Sequence, residues 1–295
     1  MATTLSLAAL LSATDTTTAS FLKTVYPMIA QAVEPPIFYA AILYWALFGY
    51  RIYAGHSPLA WKDFLAKAVM TVAIFATLNW SGLAQTIYGV FTSFMDGGAN
   101  AVMGQMSVPD QLGEMVTSVD IGTRALRGLS VYQLGMIIQG FALFLVNVGL
   151  FAIAFFYMAI AKIGLAITMV LLPLFAAFFL FEQTRHWAIN WLNTMLNNVL
   201  LYILVTAILR FGLSAFGSSF DSLVDAARQN DNGKAVGAVM LDSSTVVTNL
   251  LICEVVLILF MLGVRGWAAA LASGAANSTG VLMMAIRAAA TKSLK

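Results

Sequence analysis

The chain has 295 residues, of which 61% are hydrophobic and only 9% carry a charge, and its formal net charge is +2. A soluble domain has about a quarter of its residues charged, so this composition excludes an ordinary soluble protein and indicates an integral membrane protein. The small net charge also gives no bulk electrostatic attraction to nucleic acid.

Five segments are long and apolar enough to cross a bilayer, which predicts an all-α, polytopic fold. In chain order they are Pro36–Tyr53, Trp61–Trp80, Val131–Ala161, Trp187–Leu213 and Val247–Val264. Residues 1–35 precede them. Their apolar patch follows no Lys or Arg, so we interpret this stretch as a retained, partly flexible tail or amphipathic segment on the periplasmic side and not as a cleaved signal peptide.

The basic residues predict which side each connection occupies, because short cytoplasmic loops collect Lys and Arg. Arg51, Lys62 and Lys67 lie between the first two spans, and the tail after Val264 is basic without any acid. Both are predicted to be cytoplasmic. The stretches 81–130 and 214–246 are richer in acidic residues and are predicted to be periplasmic. With the N-terminus outside and the C-terminus inside, the number of crossings must be odd.

A sixth apolar segment, Ile163–Phe181, would make the number even. Pro173 lies near its middle, where a proline removes a backbone hydrogen bond. We therefore predict a re-entrant or interfacial segment, with Lys162 and Arg185 together on the cytoplasmic face and a turn at 182–187. Six full spans are the alternative.

Apolar residues continue beyond the predicted spans. After Trp80, an amphipathic helix is predicted from Leu83, Ile87, Phe91 and Phe94, which recur at helical spacing. The third span is longer than an untilted crossing needs. Both features predict a helical assembly that projects on the outer side.

Glu254 is the most unusual residue within a span, because a charge at the bilayer centre costs several kcal/mol and normally faces protein or water. Arg210 lies near the outer end of the preceding span. We predict an ion pair between them or a subunit contact through Glu254; a pore-lining or proton-relay acid is the alternative.

Two further patterns predict helix packing and oligomer contacts. A polar stripe follows the fourth span at Asn190, Thr194, Asn197 and Asn198. Small residues recur every four positions at Ala268, Ala272, Ala276 and Gly280.

Groups for catalysis are scarce. The histidines are His56 and His186, the one cysteine is Cys253, and no catalytic or metal-binding motif is present. We predict that the protein is not an enzyme and binds no cofactor or metal.

The stretch from Ala161 to Leu204 resembles the central signature of the TrbL/VirB-type polytopic inner-membrane subunit of type IV secretion systems. The resembling elements are a lead-in through Gly164, the LLPLF core around Pro173, the polar turn with Thr184 and Arg185, and Trp187 with Trp191. A chain near 300 residues with an outer N-terminus and an inner C-terminus is similar as well.

The resemblance implies a pentameric, ring-like homo-oligomer in the bacterial inner membrane, at the base of the translocation path. A stalk would rise from it and carry the minor pilus subunit. Its neighbours would be the bitopic assembly factor, the channel scaffold and the secretion ATPases, with DNA or protein as a transient substrate. The predicted structural and assembly residues are Pro173, Arg185, Trp187, Asn190, Trp191, Asn197, Arg210 and Glu254. The alternative function is a secondary transporter or permease for a small solute, although the two halves show no evident repeat.

Overall fold

The computed structural model describes residues 7–55, 61–104, 134–229 and 244–273, and the regular structure within these ranges is helical throughout. This confirms the predicted all-α class. A π-helical turn at Trp80–Ala84 leads into the third helix. The helices are α1 (Leu7–Tyr53), α2 (Trp61–Ala76), α3 (Gln85–Met103), α4 (Leu134–Val170), α5 (Leu172–Ala177), α6 (Arg185–Gln229) and α7 (Ser244–Ala272).

Four of the described helices are long and apolar enough to cross a membrane. The segments with this property are Leu10–Tyr53, Phe144–Val170, Arg185–Gly212 and Leu251–Ala272. A fifth crossing arises if α2 and the helix that follows it, which are bent by 94° at the break between them, count as one span. The predicted number of about five is therefore confirmed.

Helix α1 begins at Leu7, so the predicted tail, as far as the structure describes it, is part of a 47-residue helix. The helix continues through Pro27, Pro35 and Pro36. One face of it is buried, at Leu22, Tyr26, Ala30, Ile37 and Ala41. Because these positions recur at intervals of four and seven, a single stripe packs against protein along much of the helix. This packing, which local sequence does not reveal, explains why the described part of this stretch is a continuous helix.

The bend after α2 has a local cause. The helix ends before Thr77, and Asn79 caps the next turn by accepting hydrogen bonds from the backbone N–H and the hydroxyl of Ser81. The Tyr26 hydroxyl donates to the Thr77 carbonyl, and its ring lies 5.0 Å from that of Trp80. A backbone carbonyl freed by the bend thus receives a side-chain donor, as a low-dielectric environment requires.

The predicted amphipathic helix after Trp80 forms, but a different face of it is buried. Met95, Ala99 and Met103 are buried, whereas Leu83 and Phe94 of the predicted apolar face are 37% and 53% exposed. Gly55 and Gly104, with φ of +73° and +76°, follow the ends of α1 and α3. A left-handed glycine is the common helix terminator, because it has no Cβ to clash.

Helix α4 runs without interruption from Leu134 through Lys162 to Val170. The helix of the third span therefore continues about nine residues beyond its predicted end at Ala161. The backbone breaks at Leu171, next to Pro173, and the apolar connection to α6 is limited to α5 and the turns as far as Thr184.

The packing of α4 against α6 shows how far Lys162 lies from Arg185. Thr168 contacts Trp191, and Gly164 lies against Asn198, so the two helices are antiparallel here. Asn198 is 13 residues beyond Arg185, or about 20 Å along α6. The prediction that Lys162 and Arg185 share one face is therefore wrong, because nothing before Pro173 interrupts the helical hydrogen bonding of α4.

The described helices group into two compact units, each assembled from separate stretches of chain. One unit contains residues 95–104, 134–160, 201–229 and 244–268, together with the start of α1. In it, Gly98 of α3 lies against Ile203 of α6, and Gly212 of α6 lies against Leu257 of α7. Small residues at these two points allow the helices to approach closely.

The other unit contains residues 14–55, 61–94 and 161–200, with the end of α7. The end of α1 packs against the start of α2 through Trp45 and Phe64, whose rings lie 5.4 Å apart. Tyr44 of α1 contacts Phe181 of the turn before α6 at 5.8 Å. These contacts place Arg51, the start of α2 and the turn before α6 at one end of this unit.

Candidate assembly site

A tryptophan side chain forms a hydrogen bond with the backbone at the break between α4 and α5. Pro173 is buried at the start of α5 and has no N–H to continue the ladder. The Leu171 N–H donates to the Thr168 carbonyl at 3.2 Å, and the Trp191 indole Nε1–H donates to the same oxygen at 2.8 Å. Trp191 therefore ties α6 to the last turn of α4, where the backbone leaves its regular pattern.

Four aromatic side chains form a cluster around this break: Phe175, Phe178, Trp187 and Trp191. Phe175 stacks on Trp191 with ring centroids 5.9 Å apart and planes inclined by 12°, and Phe178 meets Trp187 edge-on at 5.3 Å. The Thr184 hydroxyl donates to the Phe178 carbonyl at 2.9 Å, which closes the turn. The fold thus brings the predicted residues Pro173, Trp187 and Trp191 together.

A groove of about 490 Å³ opens beside the aromatic cluster. Asn190 and Thr194 line it and are exposed, while Trp191 forms its buried wall. The predicted polar stripe is therefore divided. Asn198 is buried against Gly164, and Asn197 is half-buried, with an Oδ1 that has no hydrogen-bond donor among the described residues.

The predicted Glu254–Arg210 ion pair is wrong. Asn147 of α4 donates its Nδ2–H to Glu254 Oε1 at 2.8 Å, and both side chains are buried. Arg210 is exposed and forms no ion pair within the ranges the structure describes. Gly212 faces Leu257 of α7, and residues two apart on a helix point about 200° apart, so Arg210 is directed away from α7.

A second polar contact between helices was not predicted. Lys162 of α4 is buried and donates to Asp15 Oδ1 of α1 at 2.6 Å, while Asp15 is half-exposed. Both residues lie inside membrane-length segments. Opposite charges in two apolar helices are a signal that a sequence can carry, but here the predicted spans contain neither Asp15 nor Lys162.

The remaining residues singled out in the sequence are not members of the aromatic cluster or of the two polar contacts between helices. Arg185 is exposed at the first position of α6, and a ring nitrogen of His186 is 3.0 Å from the Gln183 carbonyl. Ala268 and Ala272 are buried, whereas Ala276, Gly280 and His56 lie outside the described residues. Across the described ranges no three His, Cys, Asp or Glu side chains come close enough to hold a metal ion.

Comparison with known families decides the class of protein. The TrbL/VirB6 plasmid conjugal transfer protein family matches residues 41–264. The chain belongs to this family. The resemblance seen in the sequence is thereby confirmed, and the matched range contains every predicted assembly residue from Pro173 to Glu254. Comparison with curated proteins gave no match.

Family membership makes the protein a component of conjugal transfer, that is, of type IV secretion. Together with the long apolar helices it indicates a multi-pass protein of the inner membrane that works in an assembly with other subunits. The family is one of structural components of the secretion system.

The hydrogen bond from Trp191 to the helix break gives a direct prediction. Trp191→Phe keeps a ring on Phe175 but removes the donor to the Thr168 carbonyl, so we expect a loss of about 1 kcal/mol in stability. Thermal unfolding of the purified protein in detergent measures this loss. Trp187→Phe is the matched control, because Trp187 is 49% exposed, and we expect little change. An equal loss of stability in the two variants would contradict the proposed role of the hydrogen bond from Trp191 to Thr168.

Proposed function

We propose that the protein is the inner-membrane channel and stalk-base subunit of a type IV secretion system, which supports pilus assembly and the transfer of DNA or protein. It acts as a ring-like homo-oligomer, a pentamer. Its partners are the minor pilus subunit on the periplasmic side, the bitopic assembly factor, the channel scaffold and the secretion ATPases. The family match over residues 41–264 supports this proposal.

The main observation in support of a homo-oligomer is the exposed polar surface on α6. Asn190 and Thr194 are exposed within the membrane-length segment Arg185–Gly212, beside the aromatic groove. Lipid tails offer no hydrogen bonds, so polar side chains at this depth face protein or water. The Thr194 hydroxyl already donates to the Asn190 carbonyl at 2.9 Å, so the Asn190 amide is the group to which a neighbouring copy over the groove would give polar partners.

The topology belongs to the same proposal. Helices α1, α4, α6 and α7 each cross once, and α2 with α3 contributes the fifth crossing. The N-terminus is then periplasmic and the C-terminus cytoplasmic, with the turn before Arg185 beside Arg51 on the cytoplasmic side. The basic residues at the end of α1 and the start of α2 support this orientation.

Cysteine cross-linking tests the contact through α6. In a Cys253→Ser background, Thr194→Cys should cross-link neighbouring copies in native membranes, whereas Ile167→Cys should not. Ile167 is the matched control because it is an exposed apolar residue of α4. Cross-linking at Ile167 alone would contradict the proposed contact.

Co-purification from cells that express the whole secretion system separates the function from its alternative. We expect the chain to be recovered with a secretion ATPase and pilus subunits, and its deletion to abolish conjugal DNA transfer. A lone protein that binds a small solute would support the transporter instead.

A further inference from the structure

A cavity of about 900 Å³ lies in the second unit described above, between the end of α1, the middle of α2 and the turn that leads into α6. Three cations line it, one from each of these elements: Arg51, Lys67 and Arg185. The acid in its lining is Glu182. None of the three cations forms an ion pair within the described part of the chain, so their charge is available to an anion.

The cavity lies at the polar edge of the bilayer. Arg51 is two residues from the end of the segment Leu10–Tyr53, and Arg185 is the first residue of the segment Arg185–Gly212. The nearby aromatic residues Tyr53 and Trp61 are 91% and 72% exposed. Exposed Tyr and Trp are typical of the depth of lipid headgroups. A soluble anion could reach this depth, but a lipid phosphate resides there.

The lining is suited to both parts of a lipid. Leu47 and Met70 supply apolar surface next to the cations, and the hydroxyls of Tyr44 and Tyr50 can donate hydrogen bonds. The Lys67 ammonium lies 3.9 Å from the centre of the Phe48 ring, so this cation is held at the wall of the cavity. Basic pockets between membrane helices at the cytoplasmic face are suited to anionic headgroups.

We propose that this cavity binds the headgroup of an anionic phospholipid, with the phosphate between Arg51 and Arg185 and the acyl chains along α1 and α2. This inference does not depend on the secretion role proposed above. A bound lipid would join α1, α2 and the turn before α6, three elements that are distant in the sequence.

The test uses the full chain reconstituted in vesicles of phosphatidylcholine that contain a minor fraction of spin-labelled phosphatidylglycerol. The motionally restricted fraction of the label reports lipid held by the protein. We expect phosphatidylglycerol to be retained in preference to labelled phosphatidylcholine, and the preference to fall about tenfold in the Arg51→Gln/Arg185→Gln variant. Arg210→Gln is the matched control, an exposed arginine of α6 outside the cavity, and it should keep the preference.

Two results would overturn the proposal. One is an equal preference for phosphatidylglycerol in the double variant and in the wild type. The other is displacement of the labelled lipid by soluble glycerol phosphate, which would identify a site for soluble phosphate compounds. Thermal unfolding of the double variant in phosphatidylcholine alone shows whether it is folded. If it is not, Lys67→Gln, which changes one wall residue, replaces it and should lower the preference about threefold.

Discussion

Asn147→Leu should destabilise the protein by about 3 kcal/mol, because it leaves the buried Glu254 carboxyl without its hydrogen-bond donor. Glu254→Gln should cost much less. An amide at this position still accepts from Asn147 Nδ2, and its own N–H can donate to Asn147 Oδ1, which has no donor among the described residues. Unfolding of the purified variants in detergent, followed by temperature, gives both values.

A double variant shows whether the loss of stability comes from the broken hydrogen bond between Asn147 and Glu254 or only from poorer packing. In Asn147→Leu/Glu254→Met both polar groups are replaced by apolar side chains, so we expect stability to return towards that of the wild type. Gln31→Leu is the control for introducing leucine, since Gln31 is an exposed amide of α1. If the loss in the double variant equals the sum of the losses in Asn147→Leu and Glu254→Met measured singly, the contact between α4 and α7 is not as described.

Asp15→Leu is expected to cost about 2 kcal/mol, because the buried Lys162 ammonium loses its carboxylate partner at 2.6 Å. The cost is smaller than for a fully buried pair, since Asp15 is 52% exposed. Adding Lys162→Met should recover part of the loss by removing the stranded charge. The measurement is the amount of folded protein in membranes together with its unfolding temperature.

Glu34→Leu is the matched control for Asp15→Leu. Glu34 is an exposed acid on the same helix, and no hydrogen bond or ion pair of its side chain is found within the described ranges. We expect it to be close to neutral. A loss as large as that of Asp15→Leu would show that acidic residues along α1 act by general solubility and not through Lys162.

The sequence was sufficient to predict the class of fold, the number of spans and the position of the break. Long apolar runs and the position of Pro173 are local properties, and the structure places the break next to that proline. The cluster at Trp187 and Trp191 was found through its resemblance to a family signature, and the contact of Trp191 with Thr168 explains its physical basis.

The partners of the charged residues could not be predicted, because they depend on how each helix is rotated. Arg210 and Glu254 have compatible depths in the sequence, yet Gly212 faces α7 and Arg210 does not. The end of the third span was placed too early for a related reason. A lysine within an apolar run was taken as the end of a helix, whereas a carboxylate on α1 allows Lys162 to remain inside it.

The central claim is that α4 continues through Lys162, so that between α4 and α6 the chain reaches the cytoplasm at the turn before α6 and not at Lys162. Cysteine labelling with a membrane-impermeant maleimide tests it most directly, in a Cys253→Ser background with Ile163→Cys or Gln183→Cys. Both positions are exposed on the protein surface and lie near the two ends of the disputed segment. We predict that Gln183→Cys is labelled in inverted vesicles but not in intact cells, and that Ile163→Cys is labelled in neither. Labelling of Ile163→Cys from the cytoplasmic side as fast as Gln183→Cys would contradict the account.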